Sequence, residues 1–177
     1  MKKIFLFLLI ASVAVFSACE QDGVNVSFDV DYDTDFTVES ALITDVGVPV
    51  EVNSPSVNTN KSEIFTSNST QIDKVEKAEI TALSLTIVAP EGQTFSFLNE
   101  VNLYIKGQGQ SEELIASKTN VDSTSNTLVM DVESTDLAVH VKSGEFTMRA
   151  NVTTNELVSE DVEVNAAITM KITAKAL

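Results

Sequence analysis

Apolar and polar side chains alternate along most of this chain, and the alternation is longest near its C-terminus. Every second position there is apolar, in the order Val162, Val164, Ala166, Ile168, Met170, Ile172 and Ala174. Because successive side chains of a strand point to opposite faces, this pattern predicts a long strand with one buried face and one solvated face. A strand of this length is expected to lie in the middle of its sheet.

Shorter alternating stretches recur from residue 24 onward. They are Val24–Tyr32, Ala78–Ala89, Val101–Ile105, Leu114–Lys118, Leu128–Val132, Leu137–Val141 and Phe146–Val152. Turns such as Pro90–Gln93 and Lys142–Glu145 separate them. The sequence therefore predicts an all-β fold, a single antiparallel β-sandwich over residues 24–177. We expect about eight or nine strands in an Ig-like or jelly-roll-like architecture.

Several local features depart from simple alternation. The apolar face changes parity after Ile80, which predicts a β-bulge near Thr81–Ala82. Residues 53–70 are rich in Ser, Thr and Asn, and they predict a long loop with a short edge strand at Ile64–Phe65. One or two helical turns are predicted within 69–77. The same alternation would also build an elongated sheet around an apolar lipid-binding groove, which is the alternative fold.

The first 18 residues have the three parts of an export signal. Lys2 and Lys3 form a positive segment, residues 4–16 are almost entirely apolar, and Ser17–Ala18 supply the small residues that precede a cleavage site. The apolar run is shorter than the roughly 20 residues that a membrane-spanning helix needs. Next comes Cys19, the single cysteine of the chain, so an internal disulfide is excluded.

The stretch Phe16-Ser17-Ala18-Cys19 resembles the lipobox of bacterial lipoproteins of the Bacteroidetes type. Phenylalanine stands where leucine is usual, three positions before the cysteine. The resemblance implies that residues 1–18 are a signal peptide and that Cys19 becomes an acylated N-terminus carrying chains such as palmitate. Several acyl chains on one residue anchor a protein stably to a membrane.

Residues 19–23 are predicted to be an acidic tether, because Glu20 and Asp22 follow the cysteine. An acidic cluster at this place resembles the surface-export signal of Bacteroidetes lipoproteins. The chain lacks the Asp directly after the cysteine that retains enterobacterial lipoproteins in the inner membrane. The expected location is the cell outer membrane, lipid-anchored, with exposure at the cell surface as a further expectation.

The chain is strongly acidic, with 26 Asp and Glu residues against 11 Lys and Arg residues. Such a chain is repelled by nucleic acid, so no nucleic-acid partner is expected. From Glu20 to Asn60 there are nine acidic residues and neither Lys nor Arg. Since this stretch follows the anchor, the sequence predicts that the membrane-proximal part of the domain is its most negative part.

Four aspartates at alternate positions form the candidate metal site of this sequence: Asp29, Asp31, Asp33 and Asp35. An EF-hand loop needs Gly at position six and Glu at position twelve. Counting from Asp29, these positions hold Thr34 and Ser40, so the motif fails. On a strand the four carboxylates lie in a row, about 6.6 Å apart along one face. That spacing favours a solvated face over chelation.

For the other candidate site residues, the sequence offers few neighbouring residues that could complete a catalytic or binding site. His140 lies between Val139 and Val141, which predicts an exposed position on a strand, and no nucleophile motif accompanies it. We therefore predict no catalytic residue, no cofactor and no resident metal. Tyr104 is predicted to be exposed but isolated, which is a poor platform for sugars. Asp122-Ser123-Thr124 resembles the short O-glycosylation motif known in Bacteroides, which makes Ser123 a candidate modification site.

From residue 70 onward the chain resembles uncharacterised Bacteroidetes lipoproteins. In those proteins an aliphatic strand leads through Pro-x-Gly-Gln into Phe-x-Phe, as it does here in Leu83–Phe97. The first functional hypothesis is a non-enzymatic binding or adhesion-like module with an envelope protein or glycan as partner, contacted at the end away from Cys19. The alternative is an envelope carrier of a lipid or another apolar ligand, which predicts a continuous apolar cavity.

Overall fold

The computed structural model describes residues 23–121 and 124–177. Cys19 and Ser123, the predicted acylation and glycosylation sites, lie outside these ranges. The described strands are β1 (Asn25–Val38), β2 (Val50–Asn53), β3 (Val57–Asn58), β4 (Val75–Ala89), β5 (Leu98–Gly107), β6 (Glu113–Thr119), β7 (Thr127–Val129), β8 (Asp131–Val132), β9 (Glu145–Thr154) and β10 (Val162–Lys175). Two short helices accompany them, α1 (Ser62–Ser67) and α2 (Ala138–Lys142).

The strands form two antiparallel sheets that pack face to face, as predicted for a β-sandwich. The four-stranded sheet has the order β1-β10-β4-β7, and the six-stranded sheet has the order β2-β9-β5-β6-β8, with β3 also paired to β9. The predicted central position of the last long strand is confirmed, because β10 lies between β1 and β4. The strand count exceeds the prediction because β3, β7 and β8 are only two or three residues long.

The inward faces of both sheets build one apolar core. Its largest fully buried side chains are Tyr32, Phe65, Phe95, Phe97, Phe146, Leu83, Leu103, Ile105, Ile115, Leu137, Met148 and Ile168. The buried Tyr32 packs edge-on against Phe146 at 5.7 Å, and its hydroxyl donates to the carbonyl of Thr59 at 3.2 Å. Burial raises the pKa of Tyr32 to about 12, so this phenol stays neutral and keeps its proton for that hydrogen bond.

The predicted bulge is confirmed, and two predicted strands are wrong. Met170 pairs with Ile80 while Thr169 pairs with Ala82, so Thr81 is the extra residue of the β4 strand. Ile64–Phe65 lies in helix α1 and not in an edge strand, because Phe65 turns inward to pack edge-on against Phe28 at 5.4 Å. The helical turn predicted within 69–77 is a single 3-10 turn at Ile72–Lys74.

The predicted strand Leu137–Val141 is wrong, because Leu137 caps helix α2 and the residues after it are helical. Residues four apart share a helix face, so Leu137 and Val141 are both buried while Val139 is exposed. Tertiary contacts select this conformation. The backbone N–H of Leu137 donates to the carbonyl of Ala78 at 2.7 Å, and Asp136 Oδ1 accepts from the N–H of Ala78 at 3.0 Å. The helix thereby packs against β4, β5 and β9.

The pairing of β1 with β10 defines the two ends of the domain. Asn25 pairs with Lys175 at one end of β1, and Val38 pairs with Val162 at the other. Strand β1 has 14 residues, which corresponds to about 45 Å at roughly 3.3 Å per residue. We call the end near Asn25 the N-terminal end. The opposite end is the apical end, and it carries segments 39–49, 90–97 and 155–161.

Truncating a buried side chain and truncating an exposed one should have unequal effects on the free energy of unfolding. Leu103→Ala removes a fully buried side chain between the sheets and should lower the free energy of unfolding by about 2–5 kcal/mol. The control Val129→Ala changes a side chain that is 68% exposed and should alter it by no more than about 0.5 kcal/mol. Urea unfolding followed by circular dichroism measures both, and equal effects would contradict the described packing.

Candidate binding surface

Two loops at the apical end expose aliphatic side chains to solvent. We call residues 39–49 and 155–161 the apical loops. Within them Leu42 is 46% exposed, Val46 51%, Val48 52% and Leu157 60%. A single exposed aliphatic residue is ordinary on a protein surface, but four within two joined loops form a candidate contact surface.

Hydrogen bonds join the apical loops to each other and to the sandwich. Asp161 accepts from the backbone N–H and the hydroxyl of Ser40, at 2.8 and 2.9 Å. These two bonds lower the pKa of Asp161. Gly47 donates its N–H to the carbonyl of Thr154 at 2.9 Å, and its φ of 79° is one that side-chain-bearing residues rarely adopt. The apical loops are therefore attached to each other and to the end of strand β9.

The apical loops carry negative charge without a basic side chain. They contain Glu39, Asp45, Glu156, Glu160 and Asp161, and neither Lys nor Arg occurs in either loop. All five of these acidic residues are exposed. The loops also contain no aromatic residue. The apical loops therefore expose aliphatic groups and carboxylates together.

The N-terminal end has a different charge balance from the one predicted. The sequence predicts the most negative surface next to the anchor, but folding brings lysines from distant segments to that end. There Lys175 pairs with Glu76 at 3.2 Å, and Lys77 pairs with Glu79 at 2.8 Å. The acidic residues of β1 meanwhile continue along the strand toward the apical end. The acidic residues of the apical loops, by contrast, take part in none of the described salt bridges.

The four candidate aspartates lie on the outer face of the four-stranded sheet. Asp29, Asp31, Asp33 and Asp35 are all exposed, at the positions that the alternation predicts. Thr169 donates its hydroxyl to Asp31 at 2.8 Å, and the Asn165 amide donates to Asp35 at 2.9 Å. Within residues 23–121 and 124–177, no group of three or more His, Cys, Asp or Glu residues is placed to hold a metal ion. The row stands as a solvated strand face.

His140 is buried, contrary to the prediction of an exposed strand position. It is 1% exposed in helix α2, and its Nε2 lies 3.0 Å from the carbonyl oxygen of Ser111. With Nε2 protonated the ring donates to that carbonyl. Nδ1 has no hydrogen-bond partner in the described part of the chain. Gly107 packs so closely on this helix that a Cβ there would come within 3.0 Å of the His140 Cα. The imidazole therefore joins α2 to the β5–β6 loop.

Arg149 organises a charged cluster on the outer face of the six-stranded sheet. Its guanidinium binds Glu112 through two hydrogen bonds of 2.9 and 2.7 Å, and Glu51 through a third of 2.8 Å. It also stacks over the ring of Tyr104, 4.3 Å from the centroid. Arg149 lowers the pKa of Glu112, chiefly through the side-chain hydrogen bonds. The cluster connects β2, β5 and β9 with the loop before β6.

The amino-acid sequence does not reveal this cluster, because its members are remote from one another along the chain. Glu51 and Glu112 are 98 and 37 residues away from Arg149. One signal was present, since Arg149 is the single arginine of the chain and lies between inward-facing Met148 and Ala150. Its donors are already engaged by carboxylates, so the geometry indicates a stabilising contact between strands.

The interior holds a small apolar cavity toward the apical end. Its volume is about 30 Å³, and side chains such as Phe36, Phe97 and Val152 line it. Small-molecule sites usually measure about 300–1,000 Å³, so this space is too small for an acyl chain. In the part of the chain that the structure describes, no helix has the length and apolar character to cross a membrane.

Comparisons with known proteins supply no family for this chain. No protein-family model matches it, and no curated protein sequence matches it. Among solved structures, a chain from desmodium yellow mottle tymovirus is similar over 87% of this chain and 91% of that chain, with 9% identity and a TM-score of 0.26. A TM-score this low carries no argument about fold or function.

The Arg149 cluster predicts a pH-dependent contribution to stability. Because the pKa of Glu112 is lowered by folding, its ion pair stabilises the folded protein above the ordinary glutamate pKa of 4.5 and loses this effect as pH falls. Glu112→Gln should cost about 0.5–1 kcal/mol near neutral pH, since the pair is partly exposed. The difference from wild type should shrink as pH falls below the ordinary glutamate pKa and through the lowered pKa of Glu112 in the folded protein.

Urea unfolding at several pH values measures this difference. Glu113→Gln is the matched control, because Glu113 is adjacent in sequence and takes no part in the ion pair with Arg149. A constant cost of Glu112→Gln across the pH range would contradict the assigned ion pair.

Proposed function

We propose that this chain is a lipoprotein of the bacterial cell envelope with a non-enzymatic binding domain. Acylated Cys19 holds it at the outer membrane, residues 19–23 form the tether, and residues 24–177 form the domain. The observation that carries the proposal is the placement of exposed aliphatic side chains in the apical loops, about 45 Å along β1 from Asn25. The contact surface thus lies far from the membrane attachment.

The tether length supports this arrangement. Six peptide units separate Cys19 from Asn25, and an extended chain reaches about 3.3–3.6 Å per residue. The N-terminal end of the domain therefore stays within roughly 20 Å of the acylated residue. With the domain oriented away from the membrane, its length brings the apical loops to a partner in the surrounding space.

The packed interior supports a binding domain over an apolar-ligand carrier. A carrier needs a cavity that encloses its ligand, and the apolar space between the sheets measures about 30 Å³. Large side chains such as Phe95 and Leu103 fill the core where an acyl chain would have to lie. The carrier remains the alternative function, and acyl lipid that co-purifies with the domain in stoichiometric amount would favour it.

The titratable groups of the domain support a non-catalytic role. The imidazole of His140 is enclosed between α2 and the β5–β6 loop, where a substrate does not reach it. The carboxylates of Glu51 and Glu112 are held by Arg149 on an open sheet face. Neither arrangement places an acid and a base around a common reacting atom.

The lipid anchor predicts that Cys19→Ser abolishes acylation. Cells fed an alkyne-bearing fatty acid should label the wild-type chain, and the variant should lose the label and leave the membrane fraction. Ser17→Ala is the matched control, because alanine keeps a small residue before the cysteine and should retain the label. Undiminished labelling of Cys19→Ser would contradict the anchor.

If the domain is exposed at the cell surface, protease added to intact cells should remove it. The measurement is an immunoblot against the domain, with a periplasmic protein as the control for cell integrity. A domain that is degraded only after the outer membrane is opened would place the binding surface in the periplasm and refute surface exposure, leaving the anchor itself unaffected.

A further inference from the structure

We propose that the apical loops dock onto a protein whose surface combines an aliphatic pocket with Lys and Arg side chains around it. This inference rests on the proposed function, because it names the partner class of the proposed contact surface. The two joined loops hold four exposed aliphatic side chains, those of Leu42, Val46, Val48 and Leu157.

The aliphatic side chains point to a contact with a protein. Protein interfaces bury an apolar centre within a polar rim, and an exposed aliphatic group becomes favourable only when a partner removes it from water. Val46 and Val48 flank Gly47, whose N–H is bonded to the carbonyl of Thr154. Leu157 lies between Thr154 and Asp161, which both bind the other apical loop. Loops attached in this way lose little conformational freedom on docking.

The charges of the apical loops select a basic partner. Their five acidic residues have no Lys or Arg within the loops, and the described salt bridges do not involve them. Complementary charge steers association and penalises like-charged partners. An anionic lipid or nucleic-acid surface is therefore disfavoured, as is a second copy of this acidic chain docking by the same end.

The composition of the apical loops favours a protein over a glycan. Sugar-binding surfaces rely on an aromatic ring for stacking, and the apical loops have no aromatic residue. The described Tyr104 lies on the six-stranded sheet, where Arg149 stacks over it. The exposed aliphatic groups and carboxylates of these loops instead match an aliphatic pocket edged by ammonium and guanidinium groups.

Site-specific photocrosslinking in intact cells tests the proposal with the full lipidated chain. A photoreactive residue replaces Val46 or Leu157, and Val129 serves as the control site because it is 68% exposed on the four-stranded sheet. We expect adducts from Val46 and Leu157 that are absent from Val129, and a basic protein as the captured species. The captured protein is then purified as the probe for equilibrium binding.

Charge reversal separates specific docking from general attraction to an acidic chain. Glu156→Lys with Glu160→Lys should weaken binding of the purified probe at least tenfold. The matched control is Asp29→Lys with Asp33→Lys, which makes the same change of charge on the outer sheet face and should change affinity less than threefold. Leu157→Ser should also weaken binding at least tenfold, with Val129→Ser as its control. Thermal unfolding checks that every variant is folded.

Several outcomes would overturn the proposal. Adducts from Val46 and Leu157 no stronger than those from Val129 would refute the contact surface. Capture of a glycan, a lipid, a second copy of the chain or an acidic protein would refute the partner class, as would equal losses from both charge reversals. Fatty-acid labelling of Cys19 is scored in the same cells, so failure of the anchor is distinguished from failure of the docking surface.

Discussion

Burial of one complete face of β10 is the constraint on which the rest of the sandwich depends. This strand pairs along its whole length with β1 and along most of it with β4. Its inward side chains are all buried, and Ile168, Met170 and Ile172 are no more than 1% exposed. Burying each such side chain contributes about 1.5–3 kcal/mol. A register slip of one residue would move all of them into water, so the neighbouring strands are held in place.

The position of β10 also decides how the two ends of the domain differ. Because β1 pairs with it from Asn25 to Val38 without a register shift, the chain leaves the sheet at the end opposite its entry. The loops that follow β1 and β9 then meet at the apical end, where the contact between Ser40 and Asp161 joins them. One unbroken pair of strands thus places the apical loops at the end of the domain opposite Asn25, where the proposed tether would enter.

The alternation of apolar and polar residues predicted correctly those parts of the fold where the pattern fits a strand and does not fit a helix. It gave the central last strand, the bulge at Thr81 and the outward row of aspartates. It failed at Leu137–Val141, where the apolar spacing suits a strand and a helix face equally. The hydrogen bond from Leu137 to Ala78 selects the helix, and Ala78 lies on a strand far away in sequence.

From the sequence, the lack of a catalytic motif and the expected anchor at Cys19 led to the hypothesis of a binding domain with its contact surface at the end away from Cys19. The residues at that end could not be predicted. Which loops form that end depends on strand order, and strand order depends on packing between residues far apart in the chain. The same reason hid Arg149, whose carboxylate partners come from β2 and from the loop before β6.

The sequence by itself determined the all-β class, the solvated face of β1 and, by resemblance, the expectation of an acylated Cys19. These depend on side-chain periodicity and on a local motif, which are properties of neighbouring residues. Only the tertiary structure decided that His140 is buried, that lysines collect beside Asn25, and that aliphatic groups and carboxylates meet at the apical loops. Each of these features depends on contacts between segments that are distant in the sequence. Local patterns do not specify which segments pair, because closing the intervening loop costs a similar entropy for many alternative pairings.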